Sequence, residues 1–128
     1  MRRLAAATIL LVISMVSLPT TPQTQIVAQW SSAPGLEALF LVEDALIDAE
    51  GDLFVVDGHD IGLGKFNVFI YADDASVEGA VRRIVRMAES GQLPAGMKLG
   101  VAQYIDAART DWTFRPVYPA GLPSFDIM

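Results

Sequence analysis

The tetrad Asp57-Gly58-His59-Asp60 places the only histidine of the chain between two carboxylates. A histidine oriented by a carboxylate can act as a general base, and the same three side chains can contribute to a divalent metal site. A catalytic metal needs at least three converging ligands, however, and neighbouring side chains of one extended segment diverge. We therefore interpret the tetrad as a structural turn with no catalytic residue and no metal, and keep His59, Asp57 and Asp60 as the alternative catalytic set.

Two other chemical motifs fail on spacing. A phosphate-binding loop needs a glycine five positions before the Gly64-Lys65 pair, and that position is His59. No G-x-S-x-G nucleophile elbow occurs in the sequence. We expect no cofactor, and we interpret Gly58 and Gly64 as turn positions that need a positive φ.

Composition limits the function classes further. The 128 residues, 52% of them hydrophobic, are enough for one folded domain. When Arg2 and Arg3 at the N-terminus are set aside, seven basic residues remain against 15 acidic ones. This balance argues against nucleic acid and anionic membrane surfaces as partners. The absence of cysteine excludes disulfides, thiol nucleophiles and thiolate zinc sites.

The N-terminus has the layout of a secretory signal. Two arginines are followed by uncharged, mostly apolar residues from Leu4 to Leu18. An apolar run of this length is short for a membrane-spanning helix. We predict a signal peptide or N-terminal anchor over 1–25, with Ile26-Val27-Ala28 as the best cleavage candidate. The expected location is periplasmic or secreted, and an uncleaved N-terminal anchor is the alternative and the only expected membrane contact.

Hydrophobic patterning predicts a linker over 26–35 and a single domain over 36–128. The long amphipathic helix has an apolar stripe, is preceded by Asp73 and Asp74 as capping residues, and is followed by Gly91. Residues 44–51 are compatible with either a short helix or an extended arm. The predicted helix spans 75–90, and the predicted strands span 36–43, 53–57, 66–72, 97–104 and 112–118.

This order predicts an α+β fold with an antiparallel sheet of four to five strands and one long helix on one face. The arrangement is of the ferredoxin-like βαββαβ type, and a β-meander plus one helix is the alternative. The 53–57 and 66–72 strands are expected to form a hairpin with a loop of more than two residues and a bulge.

The run VDGHDIGLGKFNVFIYADD, an amphipathic helix and then RPVYPAGLPSF resemble a family of small bacterial proteins that share such a hairpin and a late Tyr/Trp-Pro segment. The resemblance covers about residues 36 to 125. It implies a ferredoxin-like α+β sandwich, and the family has no established activity to transfer. Its usual members lack the export segment present in this chain.

Strand alternation gives the candidate binding site. If Phe66, Val68 and Ile70 face the helix, together with Met97, Leu99 and Val101, then Phe69, Tyr71 and Tyr104 lie on the opposite face. Such an aromatic face needs a cover, either the tail from Trp112 onward or a protein partner or second copy.

We expect a small exported interaction module of the bacterial envelope that is not an enzyme. A minor hydrolase or metal-dependent enzyme using residues 57–60 and a small-ligand sensor are the alternatives. A catalytic loop requires a concave pocket around His59 with converging acids, whereas a binding module requires an exposed apolar patch.

Overall fold

A computed structural model of the chain describes residues 21–128, so the first 20 residues of the predicted signal segment lie outside the described residues. The described chain forms one five-stranded antiparallel sheet and two α-helices. The elements are β1 (Gln23–Ser31), α1 (Leu36–Asp48), β2 (Val55–Gly62), β3 (Lys65–Asp73), a 3₁₀ turn (Asp74–Ser76), α2 (Val77–Glu89), β4 (Lys98–Tyr104) and β5 (Trp112–Tyr118). Within residues 21–128, no helix is both long and apolar enough to cross a bilayer.

β1 is the central strand of the sheet and pairs with β3 on one side and β4 on the other. Its side chains Ile26, Ala28 and Trp30 alternate into the hydrophobic core. The sequence predicted a linker at 26–35, and this prediction is wrong for the residues that belong to β1. The uncharged residues that follow the apolar run 4–18 have the composition expected at the end of a signal segment. The alternation of buried and outward side chains in β1 is nevertheless that of a strand.

α1 forms where a strand was predicted over 36–43, and it extends through most of the ambiguous 44–51 segment. The helix buries Leu39, Val42 and Leu46, which are three and four positions apart and so lie on one face. Exposed Leu36 and Leu41 add apolar residues on other faces. These additional residues hide the helical period, and the run therefore has the appearance of a buried strand.

β2 and β3 form the predicted hairpin, with a tighter tip than expected. The strands continue to Gly62 and Lys65, so the loop is the two-residue turn Leu63-Gly64, with φ of 52° and 75°. Positive φ at both positions is typical of a type I′ turn. The expected bulge is present between Val56 and Gly58.

The sheet order is β2-β3-β1-β4-β5, with every neighbouring pair antiparallel. Because β1 lies between β3 and β4, the β-meander alternative is wrong. Both helices pack on one face of the sheet, which we call the helix face, and contribute to one core. The predicted α+β class is confirmed, with a second helix beside the one predicted. The six strand residues assigned to the helix face are all in this core, namely Phe66, Val68, Ile70, Met97, Leu99 and Val101.

Candidate functional site

The predicted catalytic set is divided between the two faces of the sheet. His59 pairs with the core residue Val68, and its Nδ1 lies 2.9 Å from Glu43 Oε2 of α1. Asp60 is the next residue and projects to the other face, where its Oδ1 accepts a hydrogen bond from Asn67 Nδ2 at 2.9 Å. His59 and Asp60 therefore do not converge on a common substrate or ion.

His59 instead belongs to a small aromatic stack. Its ring lies 5.3 Å from the ring of Phe66 at an interplanar angle of 26°, and 5.3 Å from the ring of Phe40. Sequence reasoning missed Glu43 as the partner of His59, because the residues are 16 positions apart and Glu43 was assigned to a strand. Among residues 21–128, no His, Asp and Glu side chains form a group of three or more that could hold a metal ion.

A surface depression of about 400 Å³ lies at the C-terminal end of α1, away from the predicted catalytic set. Arg83 lines it, and the Nη1 of this arginine donates to the carbonyl oxygens of Ala49 and Glu50 at 2.9 and 3.4 Å. The arginine thus satisfies carbonyl groups that the helix end leaves free. The depression contains none of the residues 57, 59 and 60, so it does not provide the pocket that a catalytic loop requires.

The sheet face opposite the helices, which we call the open face, is partly covered by the end of the chain. After β5, residues 119–128 return across the sheet from β4 toward β3. Phe125 is only 9% exposed, and its ring meets the ring of Phe114 with centroids 5.5 Å apart. An added Cβ on Gly100 would meet Phe125, so the absence of a side chain at position 100 makes room for this ring.

Three side chains of the open face bind carbonyl oxygens of the returning tail. Gln29 Nε2 donates to the Asp126 carbonyl at 2.8 Å, Asn67 Nδ2 to that of Ile127 at 2.9 Å, and Lys65 Nζ to that of Met128 at 2.5 Å. Gln29 and Asn67 are buried and are joined to each other by a 2.9 Å hydrogen bond. The tail therefore covers this half of the face and provides partners for its buried polar groups.

The other half of the open face carries an aromatic patch, defined as Phe69, Tyr71, Tyr104 and Trp112. The first three are half-buried, and Trp112 is 42% exposed. The rings of Tyr104 and Trp112 meet edge to face, with centroids 6.1 Å apart. The three predicted binding residues thus lie on the open face as expected, and Trp112 joins them from β5.

Gln25 of β1 fixes both tyrosines of the patch. Its Nε2 donates to the Tyr71 hydroxyl at 3.1 Å, and its main-chain N–H donates to the Tyr104 hydroxyl at 3.2 Å. Burial, followed by the negative charge of Asp57, raises the pKa of the Tyr71 hydroxyl above its ordinary value. The Tyr71 hydroxyl therefore stays neutral across the physiological pH range and can take part in hydrogen bonds at the surface.

A charged network borders the patch. The Arg109 guanidinium lies 4.6 Å from the centroid of the Tyr104 ring, and its Nη2 is 2.6 Å from Asp74 Oδ2. Arg109 also donates to the Gln23 carbonyl at 2.6 Å, and Thr24 donates to Asp74 at 2.7 Å. The hydrogen bond from Arg109 holds the pKa of Asp74 below its ordinary value, and the same bond raises the pKa of Arg109.

This network also corrects the predicted helix cap. Asp73 and Asp74 were expected to cap the long helix, but the residue at the N-cap of α2 is Ser76, which makes no capping hydrogen bond through its side chain. Asp74 binds Arg109 and Thr24 instead. The sequence next to α2 favours capping by Asp73 or Asp74. In the folded protein, Arg109 of the β4–β5 connection lies beside Asp74 and binds its carboxylate instead.

Comparison with known proteins yields no relative. No family model matches the chain, and no curated protein or solved structure matches it. The resemblance to small bacterial α+β proteins accordingly rests on the quoted residues alone.

Proposed function

We propose that the protein is a small exported binding module of the bacterial envelope, which holds a protein partner or a second copy of itself against the aromatic patch. One observation carries the proposal. The tail covers the Gln29–Asn67 half of the open face and leaves the half with Tyr71, Tyr104 and Trp112 accessible. Export is supported by the sequence of residues 1–18.

The chemistry of the patch supports a protein partner. Tyr, Trp and Arg are the residues most enriched where binding energy concentrates in protein interfaces, and Arg109 stands over Tyr104 beside Trp112. Gln25 and Asp74 hold these side chains in place before any partner arrives. Binding to a surface that is already ordered loses less conformational entropy, which favours affinity.

We further infer that β1 to β4 and the two helices form a ferredoxin-like unit with β5 as an added edge strand. The chain order strand-helix-strand-strand-helix-strand, with β1 between β3 and β4, supports this assignment. Both helices cover the same face, so the half of the open face that the tail leaves uncovered is available for partners. The two alternatives have less support. His59 and Asp60 project to different faces of the sheet, which disfavours a hydrolase that uses both. The ligand-sensor alternative rests on fold analogy alone.

Site-specific photo-crosslinking in intact cells tests the proposal. A photoreactive amino acid at position 112 should give one dominant crosslinked product, and the same residue at exposed Glu89 on α2 should not. A product made of two copies of this chain identifies the homodimer, and any other product identifies a partner protein.

The crosslinked partner is then purified and titrated against the full chain. Trp112→Ala should weaken the complex by about tenfold or more, as expected for an aromatic anchor, while the melting temperature changes little. The proposal is overturned if positions 112 and 89 give the same products, or if Trp112→Ala leaves the affinity unchanged.

A further inference from the structure

A second surface, separate from the aromatic patch, lies where α1 meets the edge strand β2. It is formed by Leu36 and Phe40, one helical turn apart on α1, together with His59 and Ile61 of β2. Leu36 is 52% exposed, Phe40 42% and Ile61 43%. We call these four residues the α1–β2 surface.

This apolar surface is anchored in the core. Phe66 is fully buried, and Phe40 meets it edge to face with centroids 6.5 Å apart. His59 stacks on Phe66 and is tied to α1 through Glu43, and Ile61 pairs directly with Phe66 in the β2–β3 ladder. The exposed side chains thus have a rigid base, which keeps the surface in one shape for a partner.

The excess of acidic residues in the described chain lies in the part of the sequence that forms α1 and β2. No Lys or Arg occurs from residue 4 to residue 64, whereas residues 65 to 128 hold seven basic and seven acidic residues and are balanced. All the remaining acids lie on α1, on β2 or on the segment joining them, namely Glu37, Glu43, Asp44, Asp48, Glu50, Asp52, Asp57 and Asp60. Of these acids, Glu37, Glu43 and Asp44 lie three or four positions from Phe40 on α1 and form the acidic border of the α1–β2 surface. Asp57 and Asp60 belong to the open face, where they act on Tyr71 and Asn67. An exposed apolar surface with an acidic border and no Lys or Arg on α1 or β2 complements an apolar ligand with a basic border.

We infer that the α1–β2 surface binds a cationic amphipathic helix of a partner protein, with its apolar stripe on Phe40 and Ile61 and its Lys or Arg residues toward the acidic border. A second copy does not fit, because a two-fold contact would bring the acids of α1 against each other. An added strand does not fit either, because the bulge between Val56 and Gly58 and the two acids of β2 interrupt its pairing edge. A helix needs no backbone pairing and uses the apolar contacts alone.

The probe is a synthetic helix of about 18 residues, five turns, with leucine on one face and lysine on the other. It is titrated against the full chain by fluorescence anisotropy, and the contacted residues are located by NMR chemical-shift changes. We expect shift changes confined to α1 and β2, and an affinity that falls as salt is raised. Phe40→Ala and Ile61→Ser should each weaken binding by about tenfold.

Matched controls distinguish binding at the α1–β2 surface from a general attraction between the acidic protein and a basic peptide. Ile105→Ser removes a more exposed apolar side chain, 64% exposed, from the β4–β5 connection and should leave the affinity unchanged. Two control peptides have the same length: one with the leucines and lysines scrambled, the other with glutamate in place of lysine. Equal binding of the scrambled peptide, binding of the glutamate peptide, or full affinity in both Phe40→Ala and Ile61→Ser overturns the inference. Because Trp112 lies on the other face, the outcome is independent of the partner proposed for the aromatic patch.

Discussion

The ring of Phe125 occupies the space that a side chain at position 100 would need. A Cβ built on Gly100 would lie 2.4 Å from Phe125 Cδ1 and 2.6 Å from Cγ, closer than any non-bonded carbon contact tolerates. Phe125 therefore packs directly on the backbone of Gly100 in β4. The lack of a side chain at this position lets residues 119–128 reach the Gln29–Asn67 pair.

Gly100→Ala should displace the Phe125 ring from its position over β4 and lower the free energy of unfolding by about 2 kcal/mol, as overpacking does. Phe125→Ala should lower it by about 3 kcal/mol through loss of buried ring contacts. Urea unfolding of both variants and of the double variant measures the coupling between them. When Phe125 is already alanine, Gly100→Ala should change the free energy of unfolding very little. If the losses of the two single variants instead add up in the double variant, the two residues do not contact each other.

The hairpin glycines differ in their conformational demands. Gly64 has φ of 75° at the tip, so Gly64→Ala should lower the free energy of unfolding by about 1 kcal/mol. The prediction that Gly58 also needs a positive φ is wrong, and a Cβ there meets no atom within 4 Å. Gly58→Ala is therefore the matched control and should change stability by less than about 0.5 kcal/mol. Equal losses in thermal or urea unfolding would contradict the turn assignment.

The Asp74–Arg109 pair should contribute to acid stability. Because Arg109 lowers the folded-state pKa of Asp74, the unfolded chain takes up the proton first as the pH falls. The contribution of the pair is complete above the ordinary carboxyl pKa of 3.8 and is lost as the pH drops from there through the folded-state pKa.

Below about pH 4, the free energy of unfolding of Asp74→Asn should accordingly fall less steeply with decreasing pH than that of the unsubstituted protein. The change at neutral pH should be small, since the side chains of Arg109 and Asp74 are 34% and 43% exposed to water. Asp44→Asn on α1 removes a charge without touching Arg109 and serves as the control. An unchanged acid limb in Asp74→Asn would show that the pair does not shift the titration.

The position of β1 constrains the mature N-terminus. Cleavage after Ala28 would remove more than half of the central strand, including the buried residue Ile26. The Pro22 carbonyl also accepts a hydrogen bond from the main-chain N–H of Asp74 at 3.0 Å. If the signal is cleaved, we expect the mature chain to begin before Pro22.

Intact-mass measurement and N-terminal sequencing of the exported protein test this expectation. A mature chain beginning at Gln29 and still folded would contradict the central role of β1. A mass equal to that of the full chain in the membrane fraction would instead identify the N-terminal anchor alternative.

Local sequence patterns determined the elements whose side chains follow one clear period. α2 follows from its apolar stripe, and β3, β4 and β5 follow from their short apolar runs. α1 was mistaken for a strand because Leu36 and Leu41 remain exposed and obscure its helical period. Alternation also placed Phe69, Tyr71 and Tyr104 on the face away from the helices, because successive side chains of a strand must point to opposite sides.

Only the tertiary structure decided what covers that face and which side chains meet. Gln29 and Asn67 bind the tail across 97 and 60 positions of sequence, and Phe125 enters the space above Gly100. His59 contacts Glu43 in the part of α1 for which the sequence predicted a strand. Such contacts depend on where the folded sheet brings distant segments, and neither propensity nor periodicity in a short window contains that information.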